Sequence, residues 1–517
     1  MRFFIKISLI LIIVVSFTKT AICEGVSIIA ETSGYTVWWA YSGERITPKS
    51  TAPLQKDTGI HLCLAKNEIE PFQLVVLSKK AATINVKPGG ADDGLNLQVY
   101  SVRSVKTQKY GPIPDILEED GTQQVREKEN AVYWIKIKSS PTTRAGDHEA
   151  FLYINGTKKI KLKITVLNFV LPQRRTMHTV ARVWWKKEME QNISLSEFYE
   201  NLSEHLILNA GTVLPGPAVV FDKYQKKISI DFTAFDRQAD YLFSKLGYEG
   251  IFVPYFFGGA SGLVSNKWLN EIPVMSAEFE KYYGDYSAQL TEHLRKKGWL
   301  DKTYIQAWDE PQPKDYDTVL EILRIIRKNA PQLKIYLASI PVKEFEGFVD
   351  AWCIPLREKY FDPAWPAWIK SRKTKGEKIY GYQNYIEKYA APPLHMRLLP
   401  WEAKKYGLYG IEWWSVNHWA QYYGKDNPFL EGSGILIHQP NGSTKKPLNS
   451  IRWELYSKGL EDAEYLTILE NKGGGEKISQ IINQVVFGVD AERKTNDPHL
   501  VEQLRLQMGK QIEKILE

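Results

Sequence analysis

At Pro172 the pattern of the chain changes, and no other feature limits its fold as strongly. Before it lie runs such as Phe72-Gln73-Leu74-Val75-Val76-Leu77, Leu97-Gln98-Val99-Tyr100, Tyr133-Trp134-Ile135-Lys136-Ile137 and Ile160-Lys161-Leu162-Lys163-Ile164-Thr165-Val166. Several alternate apolar and polar residues, and Gly, Pro, Asp or Asn separate them. That pattern predicts an antiparallel β-sandwich with one face of each sheet in a core. After Pro172, strand-like segments alternate with helical ones. Candidate strands are 180–184, 211–214, 250–254, 302–307, 334–338, 351–354, 378–382 and 410–414. Between two of them Tyr316, Val319, Leu320, Leu323 and Ile326 recur at helical spacing. Eight strands, each followed by a crossover, predict a (β/α)8 TIM-type barrel rather than an open sheet. Residues 450–471 read as its long final helix, broken by Gly473-Gly474-Gly475. The expected division is a sandwich over 24–172, a barrel over 173–472 and a helical appendage over 473–517.

The first 23 residues read as an address. Arg2 and Lys6 precede an apolar stretch from Ile7 to Phe17, and Ala21-Ile22-Cys23 offers a small-x-small cleavage site. The stretch is short of the roughly 20 residues that span a bilayer. The expectation is a signal peptide and an exported protein, periplasmic or secreted. Acylation at Cys23 is the alternative, but Ile22 stands where a lipoprotein signal wants Gly, Ala or Ser. The net charge of +7 is spread along the chain and predicts no nucleic-acid partner. Cys63 and Cys353 lie far apart, which excludes a disulfide framework, and no Cys/His cluster has metal-ligand spacing. No metal or other cofactor is expected. Sixteen Trp and 28 Tyr fit either an aromatic core or surfaces that stack on sugar rings.

Barrel enzymes place their chemistry at the carboxyl ends of the strands. The fourth candidate strand ends Tyr304-Ile305-Gln306-Ala307-Trp308-Asp309-Glu310-Pro311, and Asp-Glu occurs as a dipeptide only there. Pro311 denies the ladder a donor, so the strand stops and both acids enter the loop. In a continuing strand they would face opposite ways; at a frayed or bulged end both can reach one cavity. Two carboxyls that close titrate as a coupled pair, one holding its proton more tightly. Acid-catalysed cleavage of a glycosidic bond needs such a division of labour. The same dipeptide also reads as a helix cap or an ion pair at the barrel rim.

A wider pattern bears on that choice. Ser450-Ile451-Arg452-Trp453-Glu454-Leu455 continues as Lys458-Gly459-Leu460-Glu461-Asp462-Ala463-Glu464-Tyr465-Leu466. Together with Trp308-Asp309-Glu310-Pro311, Gly410-Ile411-Glu412-Trp413-Trp414-Ser415-Val416-Asn417 and Ala65-Lys66-Asn67-Glu68-Ile69-Glu70-Pro71-Phe72-Gln73, it resembles glycoside hydrolase family 123 and its uncharacterised relatives. One departure is Ser457-Lys458, where relatives often carry an Arg-Asp pair; it is read as helix surface. The resemblance implies a sandwich, a catalytic barrel and β-N-acetylgalactosaminidase-type activity on a glycan or glycoconjugate, by substrate-assisted catalysis. It implies that Asp309 orients the sugar's 2-acetamido group and that Glu310 acts as acid, then base.

Trp413, Trp414 and Asn417 at the eighth strand end, Trp184 and Trp185 at the first, Tyr255 at the third, Trp308 at the fourth, and Tyr382 and Tyr385 at the seventh are candidate substrate contacts or ordinary rim packing. Gly258-Gly259-Ala260-Ser261-Gly262 reads as a substrate-covering loop or a plain surface turn. Glu461, Asp462 and Glu464 suit structural salt bridges, and Arg452 is expected to pair with Glu454. The leading expectation is a retaining exo-acting β-N-acetylhexosaminidase. Its rivals are a glycosidase for another sugar and a noncatalytic carbohydrate-binding protein.

Overall fold

The computed structural model describes residues 26–57, 59–211, 214–253, 257–259, 262–263, 265–383, 386–419, 431–442, 445–490 and 492–517. The expected signal peptide with Cys23, the candidates Tyr255 and Tyr385, and Ala260 and Ser261 lie outside the described residues.

The front of the chain is a two-sheet sandwich. Six antiparallel strands form one sheet, in the order Ser27–Glu31, Tyr35–Tyr41, Ile69–Ser78, Asn130–Ser139, Leu95–Thr107, Gly111–Glu118. The second sheet runs Ile60–Lys66, Lys158–Val170, Gly146–Ile154, Ala82–Ala91, Thr122–Val125. Its first pair is parallel, a departure from the all-antiparallel expectation. Alternation does what period two requires in Lys158–Val170: Ile160, Leu162, Ile164 and Val166 are buried while the lysines between them face outward. Asn130–Ser139 is instead buried on both faces. Tyr133, Ile135 and Ile137 fill the sandwich core, whereas Val132 and Trp134 join the barrel's core. The six-stranded sheet is therefore the wall that the two halves share. Each such large apolar side chain contributes about 1.5–3 kcal/mol on full burial.

Eight parallel strands then close a barrel: His178–Ala181, Asn209–Ala210, Gly250–Val253, Thr303–Asp309, Lys334–Ala338, Ala351–Pro355, Lys378–Tyr382 and Gly410–Trp413. Closure is complete because the eighth strand pairs with the first and the third with the fourth. All eight expected strands are present. The second lies just before its expected place and is two residues long. The lumen is packed with Val180, Phe252, Tyr304, Tyr336, Ala338, Ala351, Cys353 and Tyr380.

The helix Ile451–Asn471 starts where Ser450 Oγ accepts the Trp453 amide at 3.0 Å. It is buried nearly all round, because the barrel, the sandwich and the helix Pro498–Leu516 surround it. That enclosure corrects two expectations. Lys458 is not on a helix surface; it is 2% exposed and pairs with Glu68, with Glu70 at 3.0 Å and with Glu461 at 3.4 Å. Arg452 does not pair with Glu454. The sandwich supplies Asp115 to Arg452 at 2.9 Å, and Lys136 to Glu454 at 3.0 Å. Cys63 and Cys353 are both buried, and neither is part of a disulfide.

Candidate active site

The fourth barrel strand places the two acids. Ile305 and Ala307 pack outward into the main core, and Gln306 lies between them on the opposite face. Continued alternation would send Trp308 into the lumen and Asp309 outward. Instead the pairing with the fifth strand shifts between Gln306 and Asp309, a bulge that reverses the parity. Trp308 joins the main core and lies against Gly258, where a Cβ would come within 2.3 Å of its ring, so a side chain there is sterically barred. Asp309 returns to the lumen side, where Gln306 Nε2 donates to its Oδ1 at 3.3 Å.

Glu310 follows with φ of +48°, left-handed backbone that a glutamate rarely adopts. Its N–H donates to the Ala338 carbonyl at 2.9 Å, which holds the kink. Bulge and kink together turn two neighbouring carboxyls toward one space at the carboxyl end of the barrel. There the Tyr382 hydroxyl, from the seventh strand, donates to Glu310 Oε1. Burial, with the carboxylate beside it, holds the Tyr382 phenol well above its ordinary value, so it remains a donor.

Asp309 keeps surface open to water, with barrel side chains packed around the rest of it. That enclosure pushes its carboxyl up to about 6. Arg182 opposes the rise, while Glu412 and Glu310 add to it. Asp309 is therefore mainly an anion at neutral pH and takes up a proton just below it.

Two charged groups below the acids were not singled out in the sequence. Arg182 Nε donates to Glu412 Oε1 at 2.6 Å, and the Tyr336 hydroxyl donates to Glu412 Oε2. Their signal was present: Glu412 interrupts an apolar strand, and its parity matches the lumen, since Ile411 and Trp413 face outward.

The other candidates separate by position. Trp414 stands at the rim, its Nε1 donating to Glu387 Oε1 at 3.2 Å and its ring against Gly434. Gly434 has φ of +73°, and a Cβ there would lie 2.5 Å from the indole. Glu387 also accepts the Gly434 amide at 3.1 Å and the Ser433 hydroxyl, and burial pushes it up to about 7. Trp184 is 41% exposed, and its Nε1 donates to the Trp414 carbonyl at 2.9 Å. The two indoles meet edge to face with centroids 6.1 Å apart, an aromatic corner where the first and eighth strands end. Trp185 is half-buried against Phe198. Trp413 is buried against Tyr456. Asn417 is fully buried, its side-chain amide clasping the Trp184 backbone at 2.9 and 2.8 Å. Trp413, Asn417 and Trp308 are thus buried in the walls, while Tyr382 and Trp414 are half-buried and Trp184 is exposed. Among the described residues no group of three or more His, Cys, Asp or Glu side chains could hold a metal ion. No described helix is long and apolar enough to cross a membrane.

Residues 218–469 match the family model described as "Glycoside hydrolase 123, catalytic domain". No curated protein matches the chain. Among solved structures, a family 123 glycoside hydrolase from Clostridium perfringens, studied for glycolipid glycan hydrolysis, superposes with a TM-score of 0.71. It shares 14% identity over 93% of this chain and 97% of its own, so sandwich and barrel recur together in its fold. A Bacteroides ovatus GH5 xyloglucanase gives 0.36 at 8% identity, covering 78% of this chain and 98% of its own. A xylanase from Cellvibrio japonicus gives 0.38 at 11% identity, covering 84% and 96%.

Proposed function

We propose that this chain, a glycoside hydrolase acting on glycans whose residues 218–469 form a family 123 catalytic domain, is a retaining exo-β-N-acetylhexosaminidase favouring N-acetylgalactosamine. One observation carries the reading: the bulge at Asp309 and the left-handed Glu310 turn two adjacent carboxyls toward the same space. A glycosidase that attacks with its own carboxylate needs its two acids on opposite sides of the sugar, about 5–5.5 Å apart. Acids adjacent in sequence suit a reaction in which the nucleophile belongs to the substrate.

In that reaction the 2-acetamido oxygen attacks the anomeric carbon as the bond to the leaving oxygen breaks. Asp309, anionic at neutral pH, accepts the acetamido N–H and stabilises the positive charge of the oxazolinium ring. Glu310 gives its proton to the leaving oxygen. It then takes a proton from the water that opens the ring from the side the leaving group vacated, so the β configuration is kept. Acid–base help of this kind is typically worth roughly 10²–10⁴-fold. The Tyr382 hydroxyl fixes Glu310, and Trp414 with Trp184 offers the sugar an apolar wall. The basic, then apolar leader supports export, which brings the enzyme to glycans outside the cytoplasm.

The test is a screen of aryl β-N-acetylgalactosaminide, β-N-acetylglucosaminide and unacetylated β-galactoside. Cleavage of the acetamido sugars with the galactosaminide fastest is expected. Cleavage of the unacetylated sugar alone would overturn the assisted mechanism.

A further inference from the structure

On the flank of the barrel a cleft of about 520 Å³ opens between the sandwich and two barrel helices, Leu195–Glu204 and Ile451–Asn471. That volume lies in the range of roughly 300–1,000 Å³ typical of small-molecule sites. The six-stranded sheet contributes Gln98, Tyr100 and Lys136 to its lining, and the helices contribute Asn201, Glu454 and Ser457. Among the described residues none from a barrel strand lines it. The first and eighth strands, next to which these helices run, pair with each other, whereas the acids' fourth strand lies across the barrel.

The floor of the cleft is a buried ion pair with bonding capacity left over. Lys136 Nζ and Asn449 Nδ2 each donate to Glu454 Oε1 at 3.0 Å, and His205 Nε2 lies 3.2 Å from the same atom. Asn201 Nδ2 donates to Asn449 Oδ1 at 2.7 Å and so fixes that amide. No described group donates to the other carboxylate oxygen, Oε2. Glu454 is only 5% exposed, and although burial opposes its ionisation, Lys136 and His205 hold its carboxyl down at about 2. It is an anion with one oxygen unmatched, and buried polar atoms are normally matched. Lys136 has three N–H donors, of which Glu454 takes one, and its ammonium lies 5.5 Å from the Tyr100 ring. The Tyr100 hydroxyl donates to Gln98 Oε1 at 3.3 Å.

We propose that this cleft is a second carbohydrate-binding site, which holds a short neutral glycan by its hydroxyls, away from the catalytic acids. The proposal rests on the chain acting on glycans and is independent of the acetamido mechanism. A sugar hydroxyl both donates and accepts, so two neighbouring hydroxyls suit this floor: one gives its proton to Glu454 Oε2 while the other accepts from Lys136. A charged ligand meets opposition whatever its sign. Glu119 and Glu204, exposed at the edge of the cleft, oppose an anion, and Lys136 and Lys138 oppose a cation.

The experiment is a ¹⁹F NMR titration of the full chain labelled with fluorotyrosine and carrying Glu310→Gln to slow turnover. Tyr100→Phe identifies the reporter in the cleft, and Tyr382→Phe the reporter beside the catalytic acids. The probes are lactose and methyl β-N-acetylgalactosaminide, each at constant ionic strength. Both should shift the Tyr100 signal to saturation, with a midpoint distinct from any shift of Tyr382. Gln98→Trp, which fills the cleft from an exposed position, should abolish the Tyr100 shift and leave that of Tyr382. Sodium sulfate and ethylammonium chloride should leave Tyr100 unmoved. A Tyr100 signal that answers neither sugar, that answers only the charged probes, or that shifts equally in Gln98→Trp would overturn the proposal. If Gln98→Trp does not fold, the Tyr100 signal of the unblocked chain decides alone: saturation by the sugars supports the proposal and no movement refutes it. A Tyr100 shift with Tyr382 unmoved still supports the cleft and counts only against the sugar assigned to the catalytic acids.

Discussion

The Tyr382 hydroxyl donates to Glu310 Oε1 across the barrel mouth, tying the end of the seventh strand to the kinked end of the fourth. The bond holds a carboxyl whose backbone is strained, and it presents that carboxyl at one angle. Tyr382→Phe removes the donor and little volume. A hydrogen bond to a charged group contributes about 1.5–3 kcal/mol, so kcat should fall roughly 10–100-fold with a smaller change in KM. Steady-state kinetics on an aryl substrate check this, with thermal unfolding as the control for folding.

Asp309 gives a stability prediction whose sign is fixed. Its folded carboxyl is raised from the ordinary value to about 6. Between roughly pH 4 and 6 the folded state therefore holds a proton that the unfolded state has lost, and stability declines as pH rises through that window. Asp309→Asn should be more stable than the parent at pH 7.5 and indistinguishable at pH 4, by thermal melts at both pH values. Water reaches this carboxyl, so the gain should be of order 1 kcal/mol and not the full value for a sealed group.

Lys458 should be far more costly to lose than a surface lysine. Its ammonium is shared by Glu68, Glu70 and Glu461 between the sandwich and the barrel's last helix. Lys458→Met leaves those carboxylates short of a cation, and breaking a buried pair typically costs about 3–5 kcal/mol. The denaturant midpoint should drop accordingly, whereas Lys186→Met, a substitution outside this network, should be near neutral.

The strands 334–338 and 378–382 were legible to the residue, because short β-branched and aromatic runs were bounded by helical segments on both sides. The second barrel strand was displaced, since two residues carry too little periodicity to mark an edge. The convergence of Asp309 and Glu310 was foreseen only as one outcome of a bulged strand end. The bulge itself depends on pairing with Ala338, which no local pattern announces. Lys458 was misread for a related reason. Polar residues on a helix normally mark its solvated face, but here Glu68 arrives 390 residues earlier in the chain to cover it. Arg182 and Glu412, 230 residues apart, escaped notice because an inward charge is recognisable only once the barrel is closed.

The proposed mechanism turns on Glu310 supplying the proton to the leaving group. Its most direct test is kcat/KM for Glu310→Gln against aryl β-N-acetylgalactosaminides whose leaving groups span a wide range of acidity. A loss of roughly 10²–10⁴-fold is expected for poor leaving groups, shrinking steadily as the leaving group becomes acidic enough to depart unaided. A variant that cleaves every member of the series at the parent rate would contradict it.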